Sequence, residues 1–68
     1  MDEEVFNSQL RKFLKKVGIQ SQREIEKAVR SAISAGTLEA TQTLTSRVVL
    51  QVPEVGINVT IEDVIKLS

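Results

Sequence analysis

Sixty-eight residues, with nine Lys and Arg balanced by nine Asp and Glu and with neither histidine nor cysteine, set narrow limits. A chain this short makes at most one domain, expected over 1–68, and buries only about 60% of the surface its unfolded form exposes, so its core is marginal without added support. The absence of cysteine and histidine removes disulfides, thiolate and imidazole metal ligation and most nucleophilic and acid–base chemistry, and the zero formal charge gives the whole molecule no bias toward nucleic acid or membrane.

Residues 3–17 are expected to form a first amphipathic helix. Phe6, Leu10, Phe13, Leu14 and Val17 share one stripe, and Arg11, Lys12, Lys15 and Lys16 lie on the other side. Asp2, Glu3 and Glu4 stand at the end where the helix dipole favours negative charge, the four cations fall in later turns, and Gly18 marks a stop. Phe6 and Phe13 are the only aromatic residues of the chain. Both lie on the apolar stripe, where they read as core anchors rather than as a base-stacking platform.

A second helix is expected at about 22–35. Ser21 with Glu24 makes a capping box, in which the serine oxygen accepts the glutamate amide and the glutamate carboxylate returns to the serine amide. Ile25, Ala28, Val29, Ala32 and Ile33 recur at spacings of three and four, and Gly36 follows them as a left-handed closing residue. Arg23, Lys27 and Arg30 lie opposite. That row reads either as an anion-facing surface or as a solvated face partly neutralised by Glu26 paired with Arg30. Residues 11–30 together carry seven cations and two acids, a local balance of +5 between segments of −3 and −2.

Beyond Gly36 the pattern becomes alternating and rich in Thr, Val and Ile, which fit a pleated surface. Pro53-Glu-Val-Gly56 is a turn, with proline pre-setting one dihedral and glycine free to take positive φ. Folding there sets Val52 against Ile57, Leu50 against Val59, Val48 against Ile61, Ser46 against Asp63 and Leu44 against Ile65 on one face. On the other face the same register sets Arg47 against Glu62 and Gln51 against Asn58. Opposite charges therefore meet across the strands in the register that the apolar residues alone dictate. Strands are expected at about 41–52 and 57–67, with a bulge where Ser46 and Asp63 interrupt the apolar face. The fold class is therefore α+β, two N-terminal amphipathic helices followed by a long antiparallel β-hairpin.

A two-stranded sheet leaves both edges open and is marginal alone. Two copies pairing edge to edge would form a four-stranded sheet covered by helices, so a homodimer is expected. No catalytic constellation is visible: the serines and threonines have no histidine partner, Glu62 and Asp63 point to opposite faces of a strand, and Gly18, Gly36 and Gly56 stand alone at element boundaries rather than in a phosphate loop. The chain is expected not to be an enzyme and to use no cofactor or metal. No apolar run approaches the ~20 residues that cross a bilayer, and Met-Asp-Glu-Glu is acidic where a signal peptide would be basic, so a cytosolic location is expected.

The residues Arg11-Lys-Phe-Leu-Lys-Lys-Val-Gly18, then Ser21-Gln-Arg-Glu-Ile-Glu-Lys-Ala-Val-Arg30, Gly36 and Leu38 resemble a family of short, single-domain bacterial proteins of unknown function. The resemblance covers nearly the whole chain and implies a cytosolic bacterial protein with no assigned activity, cofactor or functional residue. A capped basic helix closed by glycine and followed by a hairpin also resembles part of a winged-helix DNA-binding domain. That likeness places Ser21, Gln22, Arg23, Lys27 and Arg30 on the groove-facing side, but such domains ordinarily have three helices.

Two functions follow as expectations. The first is a protein-interaction or assembly module, homodimeric, with a protein partner. The alternative is a small nucleic-acid-binding protein that uses Arg23, Lys27 and Arg30 together with Lys12, Lys15 and Lys16.

Overall fold

The computed structural model describes residues 1–68, in the order helix, strand, 3₁₀ turn, strand. The backbone divides into two units, Met1–Thr37 and Leu38–Ser68, each described in turn.

The first unit is one helix, α1, Glu3–Ala35, 33 residues long. Its start is set by Asp2, whose Oδ1 accepts the Val5 amide at 3.1 Å, with Glu3 and Glu4 in the first turn, where the dipole stabilises negative charge. Its end is a Schellman closure. Gly36 lies at φ 78°, its amide donates to the Ile33 carbonyl at 3.1 Å, and the Thr37 amide donates to the Ala32 carbonyl at 2.9 Å. The Thr37 hydroxyl donates to the same carbonyl at 3.2 Å.

The expected pair of helices, 3–17 and 22–35, is thus corrected to one. Gly18 does not take positive φ, a conformation kept here for Gly36 and Gly56, and Ser21 lies inside the helix rather than at its start. A glycine within a helix costs about 1 kcal/mol relative to alanine. A break would cost more, because it would strand four carbonyls on one side and four amides on the other. The stripe also runs through the junction unbroken, since Val17, Ser21 and Ile25 follow one another at spacings of four. The Ser21–Glu24 spacing of a capping box is equally compatible with a chain that is already helical.

The second unit is a hairpin of β1, Thr43–Val52, and β2, Ile57–Lys66, joined by a 3₁₀ turn over Pro53–Val55. Gly56, at φ 69°, closes the turn and donates to the Pro53 carbonyl at 3.1 Å. Pairing is antiparallel in the expected register, from Val52 with Ile57 through Leu50 with Val59, Val48 with Ile61, Ser46 with Asp63 and Leu44 with Ile65. The register runs without a bulge past Ser46 and Asp63. β1 is two residues shorter than expected because residues 41 and 42 belong to the connection, where the Gln42 amide donates to the Glu39 carbonyl at 3.0 Å, and β2 ends at Lys66, one residue before the expected 67.

Neither unit has a core of its own. No residue of α1 is buried, and every residue of the two strands is exposed or half-buried. The apolar stripe of α1 therefore keeps Phe6 and Phe13 each 49% exposed. The hairpin is a single two-stranded sheet, with Leu44, Val48, Leu50, Val52, Ile57, Val59, Ile61 and Ile65 on one of its faces.

Candidate functional site

The candidate contact residues are all on α1, and the continuity of that helix decides how they are arranged. At about 100° per residue, Lys12, Lys16, Arg23, Lys27 and Arg30 fall within an arc of about 60°. The expected break between residues 17 and 22 would have separated Lys12 and Lys16 from the other three; one helix places all five in a single row. From Lys12 to Arg30 the row extends about 27 Å at 1.5 Å per residue. Lys15, the sixth candidate, stands about 60° outside the row, and Arg11 stands further round still, at the border of the apolar stripe.

The row is incompletely neutralised. Glu26 Oε2 lies 3.5 Å from Arg30 Nη1, an i, i+4 pair, and its other oxygen accepts from Gln22 Nε2 at 2.9 Å. This is the only ion pair on the helix; the other pair of the chain joins Arg47 and Glu62 on the hairpin. Lys12, Lys16, Arg23 and Lys27 thus have no acidic partner. All five cations are exposed.

Opposite the row lies the apolar stripe. Phe6, Leu10, Phe13, Leu14, Val17, Ile25, Ala28, Val29 and Ala32 occupy an arc of about 160° centred roughly on the far side of the helix from the cations. A layer packed on the stripe would leave the basic row facing away from it. Ile33, expected on the stripe, falls beyond its border once the whole helix is taken as one wheel, as the wheel turns about 20° per seven residues relative to a strict heptad.

The hairpin contributes a different surface. Its apolar face carries one charge, Asp63, and its other face carries Arg47 beside Glu62, with Nε donating to Oε1 at 2.8 Å. Around the turn, Gln51, Pro53, Gly56, Ile57 and Asn58 border a depression whose residues are all exposed. No group of three or more Asp and Glu converges on a point that would hold a metal ion, and no helix is long and apolar enough to cross a membrane.

The comparison with winged-helix domains loses its structural footing. A recognition helix in that setting is preceded by a separate helix and a turn, whereas here residues 3–35 form one uninterrupted element.

The chain belongs to a family of unknown function (DUF6494), whose family model matches residues 1–68. No curated protein and no solved structure matches the chain significantly.

Proposed function

We propose, for a chain whose family has no assigned activity, that it is a non-enzymatic interaction and assembly module that works as a homodimer. One observation carries this reading. The 33 residues of α1 span about 50 Å at 1.5 Å per residue, while the ten residues of each strand span about 33 Å. However the hairpin is placed, its apolar face is shorter than the stripe of its own helix, which runs from Phe6 to Ala32 over about 39 Å at 1.5 Å per residue, and about 6 Å, roughly one turn, stays uncovered.

That remainder needs an apolar partner. Fully burying a Phe or Leu side chain contributes about 1.5–3 kcal/mol, which is large against the marginal core of a domain this size. A second copy brings the same stripe and the same hairpin, so a twofold arrangement supplies complementary cover for both chains.

Thermal unfolding of the full chain at several concentrations tests the proposal. When folding is linked to dimerisation, the midpoint rises with concentration by mass action. A midpoint that does not move over a hundredfold range of concentration would overturn it.

A second reading is favoured by the alignment of Lys12, Lys16, Arg23, Lys27 and Arg30 on one face, opposite the stripe. Such a row suits the phosphates of a nucleic acid, and it would stay exposed in a dimer built on the apolar faces. Its signature is affinity that falls steeply with salt, by about 0.7–0.9 in log K per log salt for each phosphate neutralised. Changing Arg23, Lys27 and Arg30 to Gln should lower that slope by about 2–3. Fluorescence anisotropy with duplex and single-stranded probes reads both effects; no binding at low salt and tens of micromolar protein would dispose of this reading.

A further inference from the structure

The two open edges of the hairpin differ in how well they resist a further strand. β2 carries Glu62, Asp63 and Lys66, whereas the only charged residue of β1 is Arg47. Asp63 sits on the apolar face between Ile61 and Ile65 and opposite Ser46. A charge on the face that must be covered is a guard against edge pairing, because extending the sheet there and burying its face would require desolvating the carboxylate. The same carboxylate also holds a main-chain donor, since Asp63 Oδ1 accepts the Val64 amide at 2.7 Å. β1 has none of these guards. It contains no proline and no bulge, and its one charge is turned to Glu62 across the ladder at 2.8 Å.

We propose that β1 is the edge through which a second copy of this chain adds, antiparallel, to give a four-stranded sheet of order β2–β1–β1–β2 with the twofold axis at Val48. This deepens the homodimeric reading and rests on it. Pairing β1 with β2 of the next copy would instead leave a free edge at each end and continue without closing.

The register follows from the alternation of side chains. The apolar face of β1 carries the even-numbered residues Leu44, Ser46, Val48, Leu50 and Val52. For both copies to turn that face to one side, even-numbered residues must stand opposite even-numbered ones. The axis then passes through a residue and not between two. Near the middle of the strand this leaves Arg47 or Val48. An axis at Arg47 sets two guanidinium groups directly opposite each other, which is destabilising. An axis at Val48 sets Val48 against itself, Ser46 against Leu50 of the second copy, Leu44 against Val52, and Arg47 against Val49.

The chain has no cysteine, so single substitutions in the full-length protein report the contact without interference. Directly opposed residues have Cβ atoms about 4.5–5.5 Å apart, close to the span of a disulfide. Under mild oxidation Val48→Cys is expected to form a covalent dimer at least tenfold faster than Arg47→Cys, with none from Ile61→Cys on β2. Faster cross-linking of Ile61→Cys or Arg47→Cys, or a non-covalent dimer in which none of the three cross-links, would overturn the proposed edge and register while leaving the homodimer standing. A monomeric mass for the unmodified chain would remove both. Should Val48→Cys not fold, an equal mixture of labelled and unlabelled unmodified chains gives the same answer by isotope-filtered NMR. A contact from the Leu50 methyl groups to Ser46 is expected between copies, since within one strand those residues are about 13 Å apart. Its absence in a mixed dimer would overturn the proposal.

Discussion

Arg47 and Glu62 face each other across the hairpin, with the guanidinium Nε 2.8 Å from a carboxylate oxygen. The pair sits fifteen residues apart in the chain and meets only if every residue between Arg47 and the turn has its intended partner. It therefore reports the register. A slip of one residue would set Arg47 opposite Ile61 or Asp63 and bring the apolar residues of β2 onto the polar face of β1.

Both side chains of that pair are more than half exposed, at 61% and 56%, so its strength is limited by solvent screening. A double-mutant cycle with Arg47→Ala and Glu62→Ala should give a coupling of about 0.2–1 kcal/mol that shrinks as salt is raised. Chemical denaturation of the four proteins at two salt concentrations measures it. A coupling insensitive to salt would contradict the exposed geometry.

The two glycines at the middle and end of the helical unit should respond in opposite directions. Nothing lies within 4 Å of a Cβ built at Gly18, and its backbone is helical, whereas Gly36 sits at φ 78°. Gly18→Ala should stabilise by about 0.5–1 kcal/mol and raise the helical signal in circular dichroism. Gly36→Ala should destabilise by about 1 kcal/mol, because alanine rarely adopts the left-handed conformation. Loss of helicity in Gly18→Ala would show that the helix stops there after all.

Removing the helix start gives a third outcome. Asp2→Ala deletes the acceptor for the Val5 amide and should cost about 1 kcal/mol, while Asp2→Asn, which keeps a capping oxygen, should cost less. Urea unfolding midpoints of the three proteins provide the comparison. Equal midpoints for Ala and the unmodified chain would mean that the first turn is frayed in solution.

Phe13 separates a covered stripe from a bare one. If the second copy covers it, Phe13→Ala should cost about 3 kcal/mol per chain and shift the concentration at which the protein assembles. If Phe13 keeps in solution the 49% exposure it has in the single chain, the change should stay near 0.5 kcal/mol, as surface substitutions do. Unfolding at matched concentrations distinguishes these values.

The hairpin was readable because its two signals are independent and agree. The alternation of Val, Ile and Leu assigns faces, Pro53 and Gly56 place the turn, and together they admit one pairing, which the strands adopt. The bulge expected at Ser46 and Asp63 did not form, as two polar residues opposite each other interrupt the apolar face without adding a residue to either strand. The helix was readable as to its residues but not its continuity. Gly18 and the Ser21–Glu24 spacing have the form of a stop and a start, and local chemistry alone does not weigh them against the groups a break would leave unpaired. The arrangement of the cations depended on that point, since only an unbroken helix brings Lys12 and Lys16 into line with Arg23, Lys27 and Arg30.

In the proposed dimer the apolar stripe of α1 and the apolar face of the hairpin are completed by a second copy of the chain. Light scattering on the unmodified full-length protein, eluted at micromolar concentration, measures this most directly. A mass of twice the 7.5 kDa chain is expected. A well-folded species at 7.5 kDa with fixed tertiary contacts would contradict it.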